Sequence, residues 1–177
     1  MNYRYCMTDI ETLGTRPGDT ILSIGAVLFT PEDGITSEFY VTINQESCKA
    51  AGLRAQKSTI EWWQKQSAEA RAAAFKGELS LESALKQFAM WLNATDTTLV
   101  YGNGANFDNA LIAAAYRAIK MEVPWKFWCD RCYRTISAMH AKSRVERVGT
   151  YHNALDDAKT QALRLIQMCK ESGLVLK

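Results

Sequence analysis

The sequence predicts an α/β protein in which helices cover both sides of a mixed sheet. Three observations carry this prediction: three consecutive strand patterns open the chain, a strand–turn–helix pattern lies near its middle, and a long helical pattern closes it. A meander of strands followed by alternating helices and strands is the element order of an α/β sandwich.

The opening strands are predicted at Tyr3–Glu11, Ile21–Phe29 and Phe39–Ile43. Gly-Asp and Pro-Glu-Asp-Gly turn signals separate them, and their apolar and β-branched residues favour extended structure. We therefore expect an antiparallel meander.

Two helices are predicted next. Ser58-Thr59-Ile60-Glu61 fits a capping box, in which Ser58 accepts from the backbone and Glu61 reaches back. The helix that it starts contains Trp62 and Trp63. A second helix follows Ser80, because apolar residues recur there at helical spacing.

The second half begins with a buried-strand pattern at Thr98–Tyr101, a turn at Gly102–Gly104 and a helix over about 106–119. Three further elements are predicted: a strand over Lys126–Cys129, a short helix over Tyr133–Met139 and, after a basic loop, a helix from Ala154 to about Lys170.

Length and composition predict a single globular domain over residues 1–177. Hydrophobic residues make up 47% and charged residues 23% of the chain, and no apolar run approaches the roughly 20 residues of a membrane helix. The N-terminus shows no export pattern, so we expect a cytoplasmic protein without a membrane partner.

The net charge of +2 is unevenly distributed. Seven acids stand against two arginines in the first 46 residues, whereas eight basic residues stand against three acids over residues 117–147. An acidic centre with a basic flank suits a polyanion that is cut with the help of metal ions. An ordinary solvated charged surface remains the alternative.

Asp9 and Glu11 are two apart in a strand and so point to the same face. Such close carboxylates raise each other's pKa unless a cation neutralises them, which favours a metal site. The alternative is a strand end at the surface, where both acids are solvated.

Asp108 lies on the apolar stripe of its predicted helix, which favours an inward-facing acid over one placed only by the helix dipole. Asn153 is a natural N-cap for the last helix, and Asp156 at the third helical position supports that cap. Asp157 points to a different face. His152 stands in a loop, where its imidazole can exchange protons near neutral pH.

Three segments carry a family resemblance: they read TDIETLG (8–14), GNGANFD (102–108) and YHNALDDA (151–158). They resemble, in order, the three exonuclease motifs of the DnaQ-like superfamily, and the spacing from His152 to Asp157 is that of its DEDDh branch. A small bacterial and prophage sub-branch, described as exoribonucleases or exodeoxyribonuclease VIII-like enzymes, is especially similar. One residue more than in many relatives separates Asn103 from Asp108.

The resemblance implies an RNase H-like fold with a mixed five-stranded sheet. It also implies a metal-dependent 3′→5′ exonuclease that hydrolyses phosphodiester bonds at the 3′ ends of RNA or DNA. Two Mg²⁺ or Mn²⁺ ions would be held by four acids, with His152 as the general base. The implied metal ligands are Asp9, Glu11, Asp108 and Asp157.

The substrate expected from the resemblance is single-stranded or 3′-overhang RNA or DNA, and homodimers are expected as in smaller relatives. Adjacent helical residues point in different directions, so one tryptophan is predicted to pack inside while the other stacks on a base. The predicted substrate contacts are Thr12, Leu13, Trp62, Trp63, Asn103 and Phe107.

Two other functions stay open at this point. One is a catalytically silent nucleic-acid-binding protein with the same fold, and the other is a hydrolase specific for very short oligonucleotides. Cys129-x-x-Cys132 lacks the second pair that a zinc site needs. No residue of the sequence decides between RNA and DNA.

Overall fold

The computed structural model describes residues 4–177 of the chain. Five strands form one sheet in the order β3-β2-β1-β4-β5. The strands are β1 (Arg4–Thr12), β2 (Ile21–Thr30), β3 (Gly34–Thr42), β4 (Thr98–Gly102) and β5 (Asp130–Cys132). The first three pair antiparallel, and β4 and β5 run parallel to β1. The predicted mixed five-stranded sheet is confirmed, as is the meander.

Seven α-helices and a 3₁₀ turn at Phe127–Cys129 accompany the sheet within residues 4–177. The helices are α1 (Gln45–Ala50), α2 (Lys57–Trp63), α3 (Ala68–Ala74), α4 (Leu81–Leu92), α5 (Asp108–Ala118), α6 (Tyr133–Met139) and α7 (Ala154–Ser172). None of these helices combines the length and apolar character needed to cross a bilayer.

The two faces of β1 pack against different helices. Thr8 donates from its hydroxyl to Asn109 Oδ1 of α5 over 3.1 Å, whereas Asp9 accepts from Gln161 of α7 on the opposite face. The long helix α7 contacts all three strands of the meander. The apolar core therefore lies on both sides of the central strands, and the chemistry-bearing residues gather at the end of β1.

Two predicted elements are wrong in detail. The strand expected at Lys126–Cys129 is a 3₁₀ turn, and the strand follows at residues 130–132. The apolar residues here favoured a buried strand, but Phe127 is 80% exposed and Trp128 54% exposed. The strand is instead defined by its pairing with β4, from Val100 opposite Asp130 to Gly102 opposite Cys132.

The predicted capping box is also wrong, because α2 begins at Lys57 with Gln56 as a cap that makes no side-chain cap bond. Tertiary contacts set this start: the Gln56 N–H donates to the Leu13 carbonyl over 2.7 Å, and its Nε2 donates to Asp19 Oδ2 over 2.6 Å. Ser58 is thereby left free to line the cleft described below.

Most other boundaries agree closely with the prediction, but β3 begins at Gly34, well before the predicted Phe39. Ser80 caps α4 through the Ser83 N–H, and α6 spans the predicted residues. Helices α1 and α3 were not predicted, although Asn44 and Ser67 cap them with side-chain oxygens. Tyr3, where the first strand was expected to begin, lies outside the described residues.

Candidate active site

A cleft of about 570 Å³ opens where β1 and β4 end. The four acids predicted as metal ligands all line it, together with His152. They come from three places: the end of β1, the start of α5, and the α6–α7 loop with the first turn of α7. The structure therefore brings together the residues that the three sequence motifs contain.

Asp9 lies at the centre of this cluster. Gln161 Nε2, one turn along α7 from Asp157, donates to Asp9 Oδ1 over 2.7 Å. Burial raises the pKa of Asp9 well above its usual range, and the nearby carboxylates add to the effect, while the Gln161 hydrogen bond opposes it. The carboxylates that act on Asp9 are Asp108, Glu11 and Asp157.

Glu11 is only 8% exposed. Burial raises its pKa to about 8, the charges of Asp157 and Asp108 contribute in the same direction, and Arg147 lowers it. A carboxylate with such a pKa is poorly compensated by the protein around it. A cation in the cleft would stabilise its ionised form.

Asp108 is the first residue of α5 and is 1% exposed. Its Oδ1 accepts from the Ile10 N–H over 3.2 Å, and its Oδ2 accepts from the Asn103 N–H over 2.5 Å. Burial raises its pKa to about 6, although these hydrogen bonds lower it. The backbone thus fixes this carboxylate between β1 and the turn after β4.

Asp157 and His152 reach the cleft from the other side. Asp157 Oδ2 accepts from the His152 backbone N–H over 3.1 Å, and Asp157 Oδ1 forms an ion pair with Arg147 Nη1 at 2.5 Å. His152 has φ +61°, in the left-handed region. Asp156 instead accepts from the Thr150 N–H over 2.8 Å, a structural contact that differs from the predicted support of the Asn153 cap.

Gly25 allows this approach. It pairs with Asp9 across β1 and β2 and faces the start of α7. A Cβ at position 25 would lie 2.1 Å from the Ala154 carbonyl carbon, a distance that no real contact permits. The missing side chain therefore lets the helix that carries Asp157 begin directly above Asp9.

The donor set fits hard divalent cations. Glu11, His152 and Asp157 each offer one ligand atom, and these atoms lie within 4.8 Å of one another. Within residues 4–177 this is the one such group found, and it does not include Cys129 or Cys132. Oxygen-rich sites with uncompensated negative charge suit Mg²⁺ and Mn²⁺.

The two tryptophans differ as predicted. Trp63 is 2% exposed and donates from Nε1 to the Thr12 carbonyl over 2.8 Å, whereas Trp62 is 40% exposed. The Trp62 ring meets the His152 ring edge-on with 4.8 Å between centroids. Trp62 is therefore the one with an accessible face, although both line the cleft.

Of the other predicted substrate contacts, Thr12, Asn103 and Phe107 line the cleft. Leu13 does not, because its side chain is 3% exposed and packs in a small core cluster with Leu22 and Trp63. Its expected contact with the substrate is thereby limited to its backbone.

Several cleft residues were not predicted. Arg134 enters from α6, and its Nε donates to Asn103 Oδ1 over 3.4 Å. Gln161 could have been found from its position four residues after Asp157 on the same helical face. No sequence signal marks Thr15, Ser58 or Thr59 as residues of the cleft wall.

Four acids and a histidine at the end of an RNase H-like sheet define the class of DEDDh 3′→5′ exonucleases. A family model described as the 3'-5' exoribonuclease Rv2179c-like domain matches residues 4–168. The chain belongs to this family.

Known proteins resemble the chain in sequence and in fold. An exodeoxyribonuclease of Enterobacteria phage T4 is 26% identical over 154 residues, which cover 72% of this chain and 67% of the phage protein. E. coli exonuclease I in complex with a dT13 oligonucleotide superposes with a TM-score of 0.66 and 11% identity over 96% of this chain. The match spans 41% of the exonuclease I chain.

The nuclease domain of 3'hExo, a DEDDh family member bound to rAMP, has a TM-score of 0.64 and 14% identity. The match covers 96% of this chain and 92% of that domain. At these identities the two structures establish the RNase H-like fold, and the family assignment rests on the sequence match.

Proposed function

We propose that the protein is a metal-dependent 3′→5′ exonuclease that releases nucleotides from the 3′ ends of single-stranded or 3′-overhang nucleic acid. The observation that carries the proposal is the convergence of all five motif residues on one cleft. The raised pKa values of Asp9, Glu11 and Asp108 support it, because burial disfavours their ionised forms and, at Asp9 and Glu11, neighbouring carboxylates add repulsion that cations would relieve.

The acids would hold two Mg²⁺ or Mn²⁺ ions. Asp9 would be shared between them, Glu11 and Asp157 would hold one, and Asp108 would hold the other. When bound, the pair of ions supplies hydroxide at neutral pH and stabilises the leaving 3′ oxygen.

His152 is proposed as the general base that takes the proton of the attacking water. Its ring lies at the cleft beside Trp62, and its backbone is tied to Asp157. The imidazole is the side-chain group that acts most often as a general base.

The exposed face of Trp62 is proposed to stack on a base near the 3′ end, and Arg134 to contact a phosphate, since it is the one arginine or lysine among the described cleft residues. The backbone of Thr12 and Leu13 and the side chains of Asn103 and Phe107 would complete the nucleotide site. The dT13 bound to exonuclease I supports a single-stranded substrate.

Both RNA and DNA are supported by relatives, because the family is described as exoribonucleases and the phage protein as an exodeoxyribonuclease. The deciding experiment uses 5′-labelled RNA and DNA of equal sequence, single- and double-stranded, with Mg²⁺, Mn²⁺ or EDTA. We expect a metal-dependent ladder that shortens from the 3′ end. Internal cleavage, or cleavage that persists in EDTA, would contradict the proposal.

The same assay separates the two other functions. A silent binding protein would shift the labelled strand in a gel without releasing mononucleotides. A short-oligonucleotide hydrolase would cut two- to five-residue substrates and leave long strands intact.

We further propose that residues 1–177 act as one exonuclease domain, in the cytoplasm and as a homodimer. The five cysteines are free thiols, which supports a reducing compartment. Light scattering coupled to size exclusion tests the dimer, and a monomer mass at assay concentration would refute it.

A further inference from the structure

Arg147 lies in the loop between α6 and α7 and contacts several parts of this region at once. Its Nη1 donates to Asp157 Oδ1 over 2.5 Å, and its Nη2 donates to the Thr150 carbonyl over 2.6 Å. The guanidinium lies 4.1 Å from the centroid of the Tyr151 ring. These contacts join the first turn of α7 to the residues directly before His152.

The ion pair is sheltered. The side chains of Arg147 and Asp157 are each 20% exposed, whereas each of the other four ion pairs within residues 4–177 includes a side chain that is at least 43% exposed. Solvent screens a sheltered pair less, and a guanidinium that meets both a carboxylate and a carbonyl holds a defined geometry. Arg147 is therefore suited to hold a loop in place.

The segment that Arg147 holds is irregular, and hydrogen bonds rather than regular structure fix it, among them those from the Val148 N–H to Thr160 Oγ1 over 3.1 Å and from the Thr150 N–H to Asp156 Oδ2 over 2.8 Å. No helix or strand spans residues 140–153. Within it His152 adopts φ +61°, a conformation that costs a non-glycine residue energy and persists only where its surroundings impose it. The bond from the His152 N–H to Asp157 is one such constraint, and the edge-on contact with Trp62 is another.

We propose that Arg147 is a positioning residue: by tying Asp157 to Thr150 and Tyr151, it holds the His152 ring against Trp62 at the cleft. Arg147 itself does not line the cleft, although its charge also acts on Glu11 and Asp157, so the position of His152 has to be measured separately from activity. The catalytic consequence rests on the proposed function, whereas the effect on the position of His152 does not.

The position of His152 can be measured directly, because the chain has two histidines, His140 and His152. Ring ¹H–¹³C spectra of the metal-free protein in EDTA then contain two sets of signals, which His140→Gln assigns. We expect the Trp62 ring current to displace the His152 signal, and Trp62→Leu to remove that displacement. Arg147→Met is expected to move the His152 signal in the same direction and broaden it, without moving that of His140.

Arg144→Met is the matched control. Arg144 lies in the same loop, but its guanidinium donates to the carbonyls of Ala141 and Ser143 and not to Asp157. It should leave the His152 signal unchanged. Arg147→Lys keeps the positive charge but lacks the planar guanidinium that contacts Asp157 and Thr150 at once, so an intermediate shift is expected. This variant decides the question if circular dichroism shows that Arg147→Met does not fold.

Kinetics test the consequence. At saturating Mg²⁺ we expect Arg147→Met to lower kcat by about 10- to 100-fold with little change in KM, because small displacements of a catalytic group are costly. The double variant with His152→Ala should lose less than the product of the two separate rate losses, since both changes impair the function of His152.

The outcomes separate the two proposals. An unmoved His152 signal in Arg147→Met and Arg147→Lys, or an equal shift in Arg144→Met, overturns the positioning role. Additive rate losses in the double variant overturn it as well. A wild-type protein without exonuclease activity would instead refute the proposed function and leave the spectroscopic result standing.

Discussion

His152 occupies a backbone conformation that few residue types adopt readily, and histidine is among those that tolerate it better. This conformation, the bond to Asp157 and the ring contact with Trp62 direct its side chain to the acidic cleft. His140 differs, since its Nδ1 lies 3.0 Å from the Ile136 carbonyl within its own helix turn. Replacement of His152 is therefore expected to lower activity, whereas replacement of His140 is not.

We expect His152→Ala to lower kcat by about 10²- to 10⁴-fold through loss of the general base. Single-turnover rates at saturating Mg²⁺ measure the effect, and His140→Gln serves as the control with wild-type rates. Near-wild-type turnover of His152→Ala would refute the assignment.

Asp9→Ala removes the carboxylate at the centre of the cluster. We expect no detectable cleavage and an unchanged circular dichroism spectrum, because the loss concerns cation binding rather than packing. Calorimetric titration with Mn²⁺ should show weakened binding. Glu122→Gln, an exposed acid outside the cleft, is the matched control and should cleave normally. Full activity of Asp9→Ala would contradict the metal proposal.

Trp62→Ala should raise KM for a single-stranded substrate by about 5- to 150-fold, which corresponds to the 1–3 kcal/mol of base stacking. Trp62→Phe should restore most of the affinity. Trp128, another exposed tryptophan, does not line the cleft, so Trp128→Ala should leave KM unchanged. Equal effects of Trp62→Ala and Trp128→Ala would refute the stacking role.

At the scale of elements, the site depends on how closely α7 approaches β2. The backbone of Ala154 occupies the space where a side chain at position 25 would stand. The first turn of α7 also carries Asp157, and Gln161 follows four residues later in the same helix. A shift of this helix therefore moves two residues of the cluster together.

Gly25→Ala is therefore expected to displace α7, lowering the free energy of unfolding by roughly 1–3 kcal/mol or more and activity with it. Urea denaturation and exonuclease rates measure the two effects. Gly52→Asn is the control, because Gly52 has φ +85° and open space around it, and asparagine tolerates such conformations. A fully stable and active Gly25→Ala would show that α7 need not sit so close.

At the scale of the whole molecule, the cleft concentrates negative charge inside a folded chain that carries a net charge of only +2. Glu11 shows how this buried negative charge affects the stability of the folded state. Its pKa rises from 4.5 to about 8 on folding, so between these pH values the folded state binds a proton that the unfolded state has lost. The stability associated with this proton is present below pH 4.5 and is lost as pH rises towards 8.

The stability of metal-free protein should therefore respond to Glu11→Gln in a pH-dependent way. In EDTA, we expect Glu11→Gln and wild type to melt alike near pH 4.5, and the variant to melt at progressively higher temperature than wild type as pH rises to about 8. Mg²⁺ should stabilise wild type more than the variant at pH 8. A difference that shrinks with rising pH would contradict this electrostatic account.

The sequence by itself determined the existence of β1 to β4, most helices and the five clustered residues. Strand alternation placed Asp9 and Glu11 on one face, helical spacing turned Asp108 inward, and the N-cap at Asn153 separated Asp156 from Asp157. These are local periodicities, which short-range geometry imposes.

Only the tertiary structure decided which distant residues meet. The hydrogen bond from Gln161 to Asp9 joins positions that are 152 residues apart. Hydrogen bonds from Gln56 to Leu13 and Asp19 set the start of α2. Phe127 and Trp128 are exposed, and β5 begins only after them. Which tryptophan has an exposed face, and that Arg147 pairs with Asp157, followed likewise from packing. Such contacts depend on close approach between elements, as at Gly25, and no pattern along the chain encodes those distances.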